Sequence, residues 1–304
     1  MNNDEAVIRL TEVEQSRAHF KLGPLNLNVP KGYVTAIVGP NGSGKSSTFR
    51  LLLDLAKADR GSMEMFGEPV GRDDVKLKQR VGYLPDDSLS EEDSLRGSER
   101  AAFTKIWYPG WDVNRYTELL NLFEVNPDLK LGKMSKGMRR KFELTLALSH
   151  DPELLLLDEP SSGLDPLAWK KMIEVLHHYM EQGNRTILMA THIIDEVRRL
   201  ADYIVFLVNG RALGVYEKDE LFSSWHIFYV QDERSVYELL SGIPGIRAKE
   251  KAGGGVIKVI TNKAMDAEKW LQKEGIKITG RTPMELDEIM ASLIDNDRLR
   301  MRQS

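Results

Sequence analysis

The sequence contains no cysteine, which excludes disulfide bonds and thiolate metal ligands as a basis for the fold. Its longest apolar runs, such as Tyr203–Val208, have the length of a strand and fall short of the roughly 20 residues needed to cross a bilayer. The first residues show neither the basic start nor the apolar stretch of a signal peptide. These absences predict a cytosolic protein that reaches a membrane only through a partner.

The chain also lacks an excess of positive charge. Its formal net charge of −4 over 304 residues gives no overall electrostatic footprint for nucleic acid. A content of 41% hydrophobic and 29% charged residues is ordinary for a globular protein. The length allows one large domain or two modest ones.

One glycine-rich stretch follows the pattern of a phosphate-binding loop. Glycines let the backbone curl so that successive N–H groups face an anion, a lysine supplies a charge for the β- and γ-phosphates, and a hydroxyl can hold Mg²⁺. An apolar strand over residues 33–38 precedes the loop and a helix follows it from Ser47, which adds its dipole. We therefore expect nucleoside triphosphate to contact Gly39, Pro40, Asn41, Gly42, Ser43, Gly44, Lys45, Ser46 and Ser47.

Strand and helix patterns alternate on both sides of this loop, as in a parallel sheet covered by helices. Residues 86 to about 126 have helical spacing and predict a helical insertion. The other predicted strands of this part are 6–13, 20–29, a short strand within 61–67, 81–85, 154–157 and 186–190, and the predicted helices are 136–149, 166–182 and 195–200.

A second small domain is predicted after a change of pattern near residues 221–225. We place the boundary between 222 and 223, with a helical subdomain at about 86–150 in the first domain. The second domain, 223–304, has the order of a split β-α-β layer, with a glycine-rich hairpin at 253–255. Its predicted strands are 226–230, 246–250, 256–260 and 276–279, and its predicted helices are 235–241, 265–274 and 284–296.

Acidic residues follow the apolar strand at 154–157, where open α/β sheets bind their ligands. Asp158 is a candidate Mg²⁺ ligand, and Glu159 is a candidate general base for the attacking water. His192 ends the next strand, so we expect it at the same sheet edge, oriented to contact a γ-phosphate. Asp165 follows the acidic pair in the stretch 161–165.

A second anion-binding surface is predicted at the start of the helix near residue 136. Ser135 and Gly137 offer a hydroxyl and free backbone N–H groups at the positive end of a helix. Because the glycine-rich loop already holds the phosphates, we expect this surface to face the nucleotide of another copy. An ordinary N-cap on a basic helix explains the same spacing.

Taken together, these motifs resemble those of ATP-binding cassette (ABC) proteins over residues 6–220. The order of the loop at 39–46, the stretch 134–138, the acidic pair, the stretch 162–165 and His192 carries the resemblance. It implies a P-loop ABC ATPase core of α/β class, with a mixed sheet, an antiparallel β subdomain and a helical subdomain, followed here by a small α+β domain. Residues 283–290 look like the closing segment of bacterial transporter ATPase subunits, and residues 107–112 and 135–138 look like an exporter-type subfamily.

The resemblance implies a head-to-tail dimer, with itself or a paralogous subunit, around two ATP molecules and Mg²⁺. Ser135 and Gly137 would contact the nucleotide held by Lys45 of the other subunit, and Asp165 would lie near that subunit's loop. Glu159 matches the catalytic base and His192 the switch histidine. The implied partner is a separate multi-span permease, which would hold the chain on the inner face of the cell membrane. No nucleic acid partner is expected.

The sequence departs from the family pattern at two places. The family usually has glutamine where this chain has Asp86, which we expect as a metal-side ligand, followed by Asp87. The adenine-stacking aromatic is also displaced: Phe20 and His19 are the nearest candidates, and an ungapped match falls at Ser16. Phe20 serves equally as a core residue of its strand.

Four aromatic residues cluster in the helical insertion: Phe103, Trp107, Tyr108 and Trp111. They form the core of that subdomain or line a groove for a short helix of a membrane partner, and both interpretations can hold for different residues of the cluster. Two other functions remain open: a cassette ATPase acting on a non-membrane partner, and a cassette gated by a ligand-sensing C-terminal domain.

Overall fold

The computed structural model describes residues 6–18, 20–71, 74–86, 90–233 and 236–303. The chain divides into two compact units, Met1–Val215 and Tyr216–Ser304. The sequence placed this division between residues 222 and 223, which lies inside a segment that the structure groups with the second unit. That segment is a short helix, α8 (Lys218–Ser224), which the sequence pattern did not predict.

The first unit contains ten strands and seven helices among its described residues. Two 3₁₀ turns are also present, Ser90–Glu92 before α3 and Leu131–Lys133 between α4 and α5. The strands are β1 (Ala6–Arg17), β2 (Phe20–Pro30), β3 (Val34–Val38), β4 (Arg60–Met65), β5 (Glu68–Pro69), β6 (Val81–Leu84), β7 (Leu154–Asp158), β8 (Thr186–Thr191), β9 (Tyr203–Val208) and β10 (Arg211–Glu217). The helices are α1 (Lys45–Leu52), α2 (Val75–Gln79), α3 (Gly97–Trp107), α4 (Val113–Phe123), α5 (Lys136–Leu148), α6 (Pro166–Glu181) and α7 (Ile194–Leu200).

A six-stranded sheet forms the centre of this unit, in the order β10-β9-β3-β8-β7-β6. The strands from β9 to β6 run parallel. Leu154 to Leu157 of β7 are fully buried, as expected for a strand covered on both faces. The register pairs Val38 with Thr191 and Asp158 with Ala190. The residues that follow β3, β7 and β8 therefore meet at one edge of the sheet.

A second, antiparallel sheet has the order β2-β1-β4-β5. Along β2 the side chains of Leu25, Leu27 and Val29 are buried while those between them are exposed, so one face of the sheet packs on the core. The helices α3, α4 and α5 lie between β6 and β7 in the chain. The mixed sheet, the antiparallel sheet and the helical segment match the predicted fold class.

The second unit contains a four-stranded sheet in the order β12-β13-β11-β14, with antiparallel pairing throughout. The strand order is that of a split β-α-β layer. The turn between β12 and β13 has positive φ at Gly253, Gly254 and Gly255 (82°, 61° and 72°), so the hairpin prediction is confirmed. The strands are β11 (His226–Gln231), β12 (Ile246–Gly253), β13 (Val256–Thr261) and β14 (Ile278–Pro283), and after α8 the helices are α9 (Val236–Leu239), α10 (Ala264–Lys273) and α11 (Leu286–Gln303).

Across the described residues, none of the helices combines the length and the apolar character that a membrane span requires.

Candidate functional site

The glycine-rich loop joins the carboxyl end of β3 to α1, and its backbone geometry needs the glycines. Gly42 and Gly44 have φ of 79° and 110°, in the left-handed region that favours glycine. A Cβ on Gly44 would lie 2.7 Å from Leu22 Cδ1. A Cβ on Gly39 would lie 2.0 Å from the carbonyl oxygen of Leu207. The loop therefore curls tightly where a side chain would obstruct it.

A cleft of about 560 Å³ opens at this loop. Residues Asn41 to Ser47 form one wall. The remaining lining residues come from the ends of other strands and are Arg17, Phe20, Asp86 and Glu159. The structure thus brings residues 41–47 of the predicted loop and two of the predicted acidic residues to a single cavity, whereas Gly39 and Pro40 do not line it.

Lys45 lies in the floor of the cleft with only 6% of its surface exposed. Its Nζ donates a hydrogen bond to the carbonyl oxygen of Gly39 at 2.8 Å and lies 3.4 Å from Glu159 Oε1. The ammonium is thus held at the phosphate-binding loop in a buried ion pair with the Glu159 carboxylate.

Glu159 connects this lysine to the neighbouring strand. Its backbone has φ of 49°, an uncommon conformation for a residue other than glycine. Its N–H donates to the Ala190 carbonyl at 2.8 Å, which ties the bend to β8. Its Oε2 lies 2.8 Å from Nδ1 of His192. The carboxylate therefore sits between Lys45 and His192, whose side chain is 51% exposed.

Asp158 is 2% exposed, and burial raises the pKa of its carboxyl to about 6. A hydrogen bond from the Ser46 side chain lowers this pKa, while the charges of Asp86 and Glu159 raise it. Its Oδ1 is buried and has no hydrogen-bond partner among the described residues. A buried oxygen without a partner, beside a serine hydroxyl, fits a hard cation such as Mg²⁺, which binds one or two carboxylates together with substrate phosphates. The described residues contain no cluster of three or more metal-ligating side chains.

Ser135, Gly137 and Asp165 do not line the cleft. The Ser135 hydroxyl caps α5 by accepting from the Met138 N–H at 3.2 Å. A Cβ on Gly137 would lie 2.7 Å from the Gly163 carbonyl oxygen, so the start of α5 packs against the segment before Asp165. The Asp165 carboxylate caps α6 by accepting from the N–H groups of Leu167 and Ala168, both at 2.9 Å. These residues form a second surface.

The comparisons with known proteins agree with this geometry. The family model described as "ABC transporter" matches residues 22–162. The Nod factor export ATP-binding protein I of Cupriavidus pinatubonensis is 34% identical over 224 residues, which are 72% of this chain and 69% of that protein. This chain belongs to the ABC transporter family.

Another relative of this ABC ATPase matches along almost its whole length. The bacitracin transport ATP-binding protein BcrA of Bacillus licheniformis is 28% identical over 304 residues, 95% of this chain and 97% of that protein. A solved ATP-binding subunit of an ABC transporter superposes with a TM-score of 0.64 at 26% identity, covering 71% of this chain and 92% of that one. The predicted family, fold class and ATPase activity are confirmed.

At the positions where this ABC ATPase departs from its family, Asp86 lines the cleft. Phe20 also lines the cleft, and its side chain packs on the core of the first unit. Its ring lies beside the loop, because a Cβ on Gly44 would be 3.0 Å from Phe20 Cζ. Ser16 does not line the cleft; its N–H donates to Asp59 Oδ2 at 2.7 Å. His19 and Asp87 lie outside the described residues.

Sequence reasoning missed three residues of the site. Arg17 lines the cleft at the end of β1. Glu196 is fully buried and accepts from the Ser161 N–H at 3.1 Å. Arg140 is 2% exposed and bonds to carbonyls beside the cleft. Glu196 and Arg140 bond to backbone groups. Every residue type has such groups, so these contacts produce no recognisable sequence motif.

Proposed function

We propose that this ABC ATPase subunit dimerises head to tail around two Mg·ATP and drives a separate multi-span permease, in the direction of export. The observation that carries the proposal is the Glu159 carboxylate, held between Lys45 and His192 at the edge of the phosphate-binding loop. Each function assigned to a residue below belongs to this proposal.

The loop residues bind the triphosphate. Free backbone N–H groups of the loop face the phosphates, and the α1 dipole favours their negative charge. Lys45 contacts the β- and γ-phosphates. Ser46, Asp158 and Asp86 would hold Mg²⁺, which would supply positive charge to offset the negative charge of the phosphate oxygens.

Glu159 acts as the general base that takes a proton from the attacking water. His192 contacts the γ-phosphate and orients that water, while Lys45 stabilises charge on the transferring phosphoryl group. Because the left-handed bend at Glu159 is fixed by its bond to Ala190, the carboxylate needs little reorganisation during the reaction. Positioning of this kind is the main contribution of proteins to phosphoryl transfer.

The second surface supports the proposed dimer. Ser135 and Gly137 stand at the positive end of α5 but outside the cleft of their own chain, so they suit the γ-phosphate bound by a partner, with Asp165 close to the partner's loop. To change the ratio of closed to open dimer from 1:99 to 99:1, nucleotide binding must favour the closed form by roughly 5.5 kcal/mol. Two bridging triphosphates, with charge-assisted hydrogen bonds of about 1.5–3 kcal/mol each, are of the right size.

A permease contact is supported by one face of α3. Phe103, Ile106 and Trp107 are 56%, 76% and 54% exposed at spacings of three and four residues. The other predicted aromatics pack internally: Tyr108 stacks on His150 with ring centroids 3.9 Å apart, and Trp111 lies 5.4 Å from Tyr116. The exposed residues suit a short helix of a permease, which would place the chain on the inner face of the cell membrane. The bacitracin transport and Nod factor export relatives support transport and its direction.

The chemical assignment is tested with Glu159→Gln. We expect ATP binding close to that of the wild type and almost no turnover, since the amide keeps its shape but cannot accept the proton. Isothermal titration gives the binding and phosphate release gives the turnover. Normal turnover would rule out Glu159 as the base.

The permease assignment is tested by co-purification with permeases encoded beside this chain. We expect Phe103→Ser with Ile106→Ser to lose the membrane partner and to keep basal ATP hydrolysis. Met265→Ser is the matched control, because Met265 is 68% exposed in the second unit. Equal recovery of the permease with the double variant would contradict the proposed contact.

A further inference from the structure

Arg140 lies in the second turn of α5, one turn beyond the Ser135 cap. It is 2% exposed, and burying a guanidinium is costly unless all of its donors are bonded. Burial lowers its pKa, while nearby acidic groups, Glu143 foremost, raise it. The burial of this charged side chain therefore requires a structural or functional explanation.

All five N–H donors of the guanidinium bond to backbone carbonyls of two loops at the cleft. Nε donates to the Pro160 oxygen at 3.2 Å. Nη2 donates to the oxygens of Asp158 and Glu159. Nη1 donates to the Pro85 oxygen and, at 3.3 Å, to the Asp86 oxygen. One side chain thus joins the segment after β6 to the segment after β7.

The bend at Glu159 makes this arrangement possible. With φ of 49° at Glu159, the carbonyls of Asp158, Glu159 and Pro160 converge on one cation, while the Glu159 carboxylate faces Lys45 and His192. Left-handed backbone at such a residue persists only where its surroundings determine it. The bond from the Glu159 N–H to Ala190 holds this bend from β8, and Arg140 holds it a second time, from a helix outside the sheet.

We propose that Arg140 is a positioning residue which couples the two nucleotide sites of the dimer. It holds Glu159 and Asp86 of its own subunit in their working positions, through the same helix whose Ser135 end engages the partner's nucleotide. This inference rests on the proposed dimer. When the partner's ATP engages α5, Arg140 thus positions the carboxylates of Glu159 and Asp86, which act on the ATP bound by their own subunit.

The test uses the full chain with Arg140→Met, Arg140→Lys and a matched control, Arg139→Met. Arg139 is the next residue of the same helix and is 6% exposed, but it bonds to the carboxylates of Glu143 and Asp93, at 3.1 and 3.2 Å. Loss of either arginine disturbs α5, and Arg140 is the one whose guanidinium bonds to the carbonyls of Asp86 and Glu159.

We expect Arg140→Met to lower kcat by about 10- to 100-fold, the effect of misplacing catalytic groups by about an ångström, with KM for ATP changed by less than about twofold. Lysine has three donors for five carbonyls, so Arg140→Lys should restore part of kcat. Arg139→Met should keep kcat.

Amide hydrogen exchange without nucleotide gives a readout that is independent of turnover. Arg140→Met should speed exchange at Glu159, Ser161 and Ser162, and Arg139→Met should not. Wild-type kcat and exchange in Arg140→Met, or equal losses of kcat in both methionine variants, would overturn the proposal. If Arg140→Met does not fold, Arg140→Lys decides by the same two measurements.

Failure of this inference and failure of the proposed function give different results. If Glu159→Gln forms an ATP-bound dimer but Arg140→Met turns over normally, the positioning role alone is wrong. If Glu159→Gln never dimerises, the proposed dimer fails, and with it the coupling between sites, whatever Arg140→Met does.

Discussion

The first unit buries ionisable side chains at the end of its central sheet, among them Lys45, Arg140, Asp158 and Glu159. The described part of the second unit buries only two polar side chains, His226 and Thr261, beside an apolar core. Buried charges cost folding free energy unless they are fully bonded, so they persist where chemistry needs them. The candidate site therefore coincides with the buried charges of the first unit, whereas the described core of the second unit is formed by apolar packing.

The largest effect is expected from Ser135→Arg, which would show that the first unit carries two anion-binding surfaces rather than one. Turnover should fall by about 100-fold or more, as when preorganised donors are lost from a transition state. ATP binding by the single subunit should persist. Ser135→Thr keeps the helix cap and should keep turnover. Loss of ATP binding by the isolated Ser135→Arg subunit would place Ser135 at its own chain's nucleotide instead.

Replacing Lys45 by methionine tests the other surface. A charge-assisted hydrogen bond contributes about 1.5–3 kcal/mol, so ATP affinity should fall by about 10- to 100-fold in a titration. Lys258→Met is the control in the second unit, where Lys258 pairs with Glu250 at 3.1 Å. An equal loss with both variants would break the contrast between the units.

Leu271→Ala tests the second unit. Leu271 is fully buried in its core, and the truncation should destabilise that unit by about 2–5 kcal/mol. Urea unfolding should show the loss, while the ATP affinity of the folded protein stays unchanged. A fall in ATP affinity that accompanies full folding would mean that the second unit takes part in binding.

The smallest effect concerns Asp158. Its pKa is raised by burial to about 6, so the folded protein binds a proton there that the unfolded chain has already released, and stability declines as pH rises from about 4 to about 6. Asp158→Asn removes this cost and should stabilise the nucleotide-free protein by on the order of 1–3 kcal/mol above pH 6. Thermal unfolding in EDTA at pH 5 and pH 8 measures it. No gain at pH 8 would contradict the raised pKa.

The sequence predicted the first unit's site well where the chemistry demands particular residue types. Gly42, Gly44 and Lys45 cannot be replaced without losing the loop geometry or the charge, so the motif identifies them. The central strands were found because both faces are buried and the apolar runs are continuous. The second unit's strands and hairpin followed from the same patterning and from the glycine run.

Other parts could not be predicted from the sequence for physical reasons. The strand β10 has only intermediate burial, and α8 spans seven residues, so neither gives a clear period. The carbonyl contacts of Arg140 depend on the tertiary path of two loops. The separation of Ser135 from the cleft of its own chain was expected, because the glycine-rich loop already holds the phosphates, but the residues that line the cleft follow only from the folded structure.

The most direct test of the central claim is the molecular mass of Glu159→Gln in solution with and without Mg·ATP. We expect the 34.5 kDa subunit to double in mass when ATP is added and to return to one subunit when Ser135→Arg is introduced as well. A Glu159→Gln protein that binds ATP but keeps the mass of a single subunit, even with its permease present, would contradict the claim that two chains close around shared nucleotides.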